Sequence, residues 1–99
     1  MKHKHKSGAV FELPEDITQR QLEIYEGELR RTIKDNELVT DALLGRTAVA
    51  AAIKAEIVTA SEGLPKSEKE LRDAPASLLW WMAHTISEFV GGLKRTDPN

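Results

Sequence analysis

Cysteine is absent from the 99 residues. That excludes disulfides, thiolate metal sites, iron–sulfur ligation and a cysteine nucleophile, and it fits a reducing compartment. Aromatic residues are few: two Trp, two Phe and one Tyr. There is no run of about 18 apolar residues, and the N-terminus carries no apolar h-region, so neither a membrane-spanning helix nor a secretory signal is expected. These absences lead to the expectation of an intracellular protein with no membrane partner. A glycine-rich phosphate loop and internal repeats are also missing. Positive charge is scarce too: 14 Lys and Arg stand against 16 Asp and Glu, and setting aside Lys2, Lys4 and Lys6 leaves 11 basic residues in an acidic body. A duplex-binding module needs a basic face to neutralise phosphates, so nucleic acid is not an expected partner.

What is present is enough for one small core. Leu, Ile, Val and Phe number 24 and Ala 11, which lifts the chain out of the disordered class. The expectation is an all-α, or mainly α, fold: a small three- to four-helix bundle with a short extended N-terminal segment. Residues 1–8 read as a flexible basic leader or tag, 9–93 as one helical domain, and 94–99 as a polar tail. The alternating Lys2-His3-Lys4-His5-Lys6 is a purification tag, a weak metal-binding tract or an unstructured native leader, with the mobile arm preferred. Two His at i and i+2 lack a preorganised third ligand. Ala9-Val10-Phe11-Glu12-Leu13 alternates weakly before Pro14, as a short strand would. A lone strand cannot make a sheet. Either Phe11 and Leu13 strap across the helices, the preferred reading, or the segment pairs with a copy of itself or with a partner's edge.

Helical periodicity then takes over. Thr18 followed by Gln21 matches a capping box and opens a helix over about 19–34, with Leu22, Tyr25, Leu29 and Ile33 on one stripe. Its acids precede its bases, which suits the helix dipole. Gly27 inside it is either a tolerated surface glycine or a point of close backbone approach. Leu38 to Leu44 reads as a separate short apolar piece stopped by Gly45. A second helix is expected over about 46–60, with Val49, Ala52, Ile53, Ile57 and Ala60 facing inward and Glu56 at the rim of that face. Ser67 and Glu70 cap a short helix through about Arg72. A third long helix runs from near Asp73, with Pro75 in its first turn, to about Val90 before Gly91-Gly92. Leu78, Met82, Ile86 and Phe89 form its core stripe, widened by Trp81, Leu79 and Val90.

Candidate chemistry is thin. His84, the one histidine outside the leader, has Glu88 a turn after it, yet no nucleophile or further ligand joins the pair in a defined motif. No catalytic residue, metal or cofactor is therefore assigned, and the chain is expected not to be an enzyme. Trp80 is more informative, because it lies opposite the core stripe on the side shared with His84. It either folds back against the 38–44 segment or the N-terminal strap, or anchors a partner, as exposed tryptophans do. Ile24 and Val58 also lie off the main stripes of their helices. Trp80, His84, Ile24 and Val58 are thus the candidate partner-binding residues, and two-sided helices of this kind make a homo-oligomer a further expectation.

The layout resembles the tail assembly chaperones of long-tailed bacteriophages over about residues 10–93. The likeness rests on Phe11-Glu12-Leu13-Pro14 leading into Asp16-Ile17-Thr18-Gln19-Arg20-Gln21-Leu22, the Ala-rich middle helix, and Asp73-Ala74-Pro75-Ala76-Ser77-Leu78-Leu79-Trp80-Trp81-Met82. It is a likeness of size, order and texture. It implies a small helical, non-catalytic protein in the bacterial host cytoplasm. Such a protein coats the long helical tape measure protein, keeps it soluble and helps recruit tail tube subunits, and it often has a frameshift-extended form. Two rival readings stand beside it. One is a generic helical adaptor or regulatory subunit of a bacterial or phage complex. The other is a small DNA-binding regulator using the 46–60 helix, which the acidic body disfavours.

Overall fold

A computed structural model describes residues 1–95. The order of elements is β1 (Lys2–Lys4), β2 (Val10–Glu12), α1 (Gln19–Asp35), α2 (Asp41–Lys54), β3 (Ala60–Glu62), α3 (Glu68–Asp73) and α4 (Ala76–Arg95). The chain is mostly helical, with four helices and a three-stranded antiparallel sheet in the order β1-β2-β3. Lys94 and Arg95 belong to α4, and the rest of the expected polar tail, 96–99, lies outside the described residues.

The extended N-terminal segment is neither alone nor a bare strap. Phe11 sits opposite His3 on one side and Ser61 on the other, so β2 is the central strand. The first six residues, read from sequence as a mobile arm, supply its neighbour. Their alternation of Lys and His is the period of a strand: the lysines point to solvent, while the half-buried His3 stacks on Phe11 at 5.3 Å and His5 meets Trp81 at 5.1 Å. A turn joins the two strands, with Gly8 at φ 94° and its N–H donating to the His5 carbonyl. Such a φ is open to glycine at little cost.

Helix α1 starts as its sequence dictates. The Thr18 hydroxyl accepts from the Gln21 N–H at 3.1 Å, and the Gln21 side chain accepts from the Thr18 N–H at 2.8 Å. The same Gln21 amide also donates to the Ala55 and Glu56 carbonyls, both at 3.2 Å, tying the start of α1 to the end of α2. Tyr25 is buried, and desolvation pushes its phenol up from the ordinary value, with the Ser87 hydroxyl of α4 acting in the opposite direction. Glu28 bonds Lys54 of α2 at 2.6 Å and Arg31 at 3.2 Å, and the Lys54 hydrogen bond holds its carboxyl below the usual range. Lys94 pairs with Glu26, so α4 is also pinned to α1. Ile33, placed by the wheel on the core stripe, is 51% exposed. A wheel gives the face only, and burial at that turn needs a neighbour that reaches it.

Helix α2 differs most from expectation. It begins at Asp41, capped by the Thr40 hydroxyl accepting from the Leu43 N–H at 3.1 Å, and it runs straight through Gly45. Gly45 is buried against α4, and a β-carbon there would lie 3.8 Å from that of Ala83. It lies in the α2–α4 contact and does not terminate the helix. The helix ends at Lys54, not 60. The Glu56 N–H donates to the Ile53 carbonyl and the Ile57 N–H to the Ala52 carbonyl, the two bonds of a Schellman motif around Glu56 at φ 58°. Ile57 therefore reaches the core from the loop, fully buried, and Glu56 is exposed at the turn. Phe11, Val49, Met82 and Ile86 are likewise wholly buried, with Leu13, Tyr25, Ala48, Ala51, Ala52, Leu71, Leu78 and Val90 among the buried residues around them. Helix α4 starts at Ala76, not near Asp73, and continues through Gly91-Gly92, where the sequence pattern predicts its end.

A β-carbon at Gly27 would meet nothing within 4 Å, so it is a surface glycine. Gly27→Ala should raise stability by about 1 kcal/mol through helix propensity. Glu56→Gly should raise it by about 1 kcal/mol by relieving a left-handed conformation. Denaturant midpoints at unchanged m-value check both. Deleting residues 1–6 should lower stability by about 1–3 kcal/mol, since it uncovers Phe11 and Trp81; an unchanged midpoint would mean that the first residues are an unattached arm.

Candidate functional site

The start of α2, the end of α3 and the start of α4 meet around a groove of about 840 Å³. Each wall has a local cause. The Thr40 cap fixes where α2 begins, the Ser67 hydroxyl caps α3 by accepting from the Glu70 N–H at 3.1 Å, and the Pro75 carbonyl accepts the first bonds of α4 from Leu78 and Leu79. Leu71 turns inward from the short α3 and is buried at the floor. Leu43, Leu79 and Trp80 complete the apolar lining.

Trp80 is 59% exposed at this groove. Its neighbour Trp81 turns the other way and meets Phe11 edge-on at 5.1 Å. Consecutive helical residues are about 100° apart, so a tryptophan pair on an amphipathic helix places one ring toward the core and one away from it. Trp80 is therefore the large apolar surface α4 leaves in water, although it does share a wall with the 41–46 stretch of α2.

His84 lies beside Trp80, and the two line an adjoining recess of about 210 Å³ with Asp41 and Leu44. His84 Nε2 is 3.2 Å from Glu88 Oε1, so the i,i+4 pair read from the sequence forms. Both side chains are largely exposed, and water screens such a pair to little net energy. Among the described residues no group of three His, Cys, Asp or Glu side chains is placed to hold a metal ion. The other two candidates lie apart from this groove. Ile24 is 36% exposed on α1. Val58 is not on a helix at all: it follows the end of α2, is half-buried, and packs on the core beside Leu64 and Met82.

Sequence reasoning missed Leu43, Arg46 and Leu71 as parts of one site. The Thr40 cap could have revealed that α2 starts early, which puts Leu43 and Arg46 on one helix. The contribution of Leu71 depends on how α3 docks on α2. No family model matches the chain, and neither does any curated protein or solved structure at a significant level. No helix among the described residues is long and apolar enough to cross a membrane.

The two tryptophans should respond oppositely to truncation. Trp80→Ala should leave thermal stability within about 0.5 kcal/mol, and Trp81→Ala should cost about 2–4 kcal/mol. A loss of several kcal/mol for Trp80→Ala would make that ring core rather than surface.

Proposed function

We propose that the protein is a non-enzymatic phage tail assembly chaperone, a small helical bundle that binds a tape measure protein in the bacterial host cytoplasm and keeps it soluble while tail tube subunits are recruited. The observation that carries this reading is the open apolar groove with Trp80 at its edge. A helix is about 10 Å across with its side chains, and helix-in-groove recognition presents an apolar face at i, i+3, i+4 and i+7 to a hydrophobic channel of this kind. An exposed tryptophan beside such a channel is the residue type that most often dominates binding. His84 extends the same surface, and Ile24 offers α1 as a second apolar contact for a neighbouring copy. The resemblance in order and texture over residues 10–93 supplies the identity of the partner.

The second reading, a helical adaptor or regulatory subunit, is favoured by one feature: Leu43, Leu79 and Trp80 gather around one apolar groove, which suits one partner at fixed stoichiometry.

Copy number separates the two. Native mass spectrometry of the complex purified from cells co-producing the tape measure protein should show several copies of this chain on one long partner, and Trp80→Ala should reduce the retained copies at least tenfold. A one-to-one complex with a folded partner would favour the adaptor.

A further inference from the structure

Arg46 stands on α2 between two depressions, the apolar groove and a neighbouring cavity of about 360 Å³, and it lines both. It is half-buried, and among the described residues no carboxylate pairs with it. The acids of the second cavity are committed elsewhere: Glu28 to Lys54 and Arg31, Glu68 to Arg72. Asp41 is the one acid lining the groove, and it occupies the first turn of α2, where the helix dipole favours a carboxylate. The first turn of α4, which forms the facing wall, has no acid at all. A protein of net charge −2 thus carries, at the rim of this apolar groove, a half-buried arginine without a carboxylate partner among the described residues. A guanidinium is suited to two parallel hydrogen bonds with a carboxylate.

We infer that the groove selects an acidic amphipathic helix: a segment whose apolar face lies on Leu43, Leu79 and Trp80 and whose flanking Glu or Asp pairs with Arg46. This rests on the reading of the groove as a helix-receiving site and adds the charge rule that site applies. Leu43 and Arg46 are one turn apart on α2, so a partner that fills the apolar channel brings its flank to the guanidinium. The apolar contacts supply affinity, and the Arg46 pair decides which helices are accepted and in which orientation.

The test uses a fluorescein-labelled helical peptide with leucines at i, i+3, i+4 and i+7 and glutamates flanking that stripe, beside a peptide with glutamine at the same flanking positions. Fluorescence anisotropy should show the glutamate peptide binding about tenfold more tightly to the unaltered protein. That preference should vanish in Arg46→Gln and persist in part in Arg46→Lys, with circular dichroism confirming that both variants fold. Trp80→Ala should weaken both peptides. Equal binding of the two peptides to the unaltered protein overturns the charge rule while the helix-receiving groove stands. If neither peptide binds, both are overturned. A concentration-dependent dimer of the protein alone that Arg46→Gln abolishes also overturns the inference, since it makes a second copy the occupant.

Discussion

The small-residue face of α2 is the constraint on which the rest of the structure depends. This helix packs against α1 on one side and α4 on the other. A helix contacted on two sides must present little bulk to both, and Gly45, Ala48, Ala51 and Ala52 do so, all of them buried. Short side chains let helix axes approach to the near end of the 8–10 Å range, at the price of little apolar area per residue. Apart from Val49 of α2 itself, the largest wholly buried side chains come from elsewhere: Met82 and Ile86 from α4, Ile57 from the loop after α2, and Phe11 from the sheet.

Phe11 explains why a mainly helical chain carries a sheet. It is wholly buried, has His3 stacked on one face and meets Trp81 edge-on. A three-residue strand has too few hydrogen bonds to stand alone, so β2 is held by pairing on both sides and by the helices beneath it. The Schellman turn at Glu56 belongs to the same arrangement. It reverses the chain, drops Ile57 into the core, and sends the backbone back so that the Thr59 N–H donates to the Glu12 carbonyl beside β3. Helix end, core residue and third strand follow from one left-handed residue.

The groove is what this packing leaves open. α3 is only 6 residues long, so it covers part of the α2–α4 junction and buries Leu71, leaving Leu43, Leu79 and Trp80 around an uncovered channel. Among the described residues Arg72, which also lines the groove, is paired with Glu68, and two further ion pairs tie α1 to α2 and α4 through Glu28–Lys54 and Glu26–Lys94. Among the described residues no acid pairs with Arg46 on the rim of the channel. Shape and charge there are both incomplete within one chain, which is the condition under which a surface gains free energy from a partner.

The sequence by itself determined the elements whose causes are local. The Thr18–Gln21 box set the start of α1, Ser67 the start of α3, and the 3.6-residue spacing of Leu78, Met82 and Ile86 the inward face of α4; the opposition of Trp80 to that face was legible for the same reason. The Lys–His alternation of the first residues was legible too as a period of two, but a strand exists only where another strand accepts its hydrogen bonds. Only the tertiary structure decided that pairing, the passage of α2 through Gly45, the exposure of Ile33, and the gathering of Leu43, Arg46, Leu71 and Trp80 around one channel. Each of these depends on what lies across a contact from the residue. Local patterning fixes which way a side chain points on its own element, and packing alone fixes what it meets there.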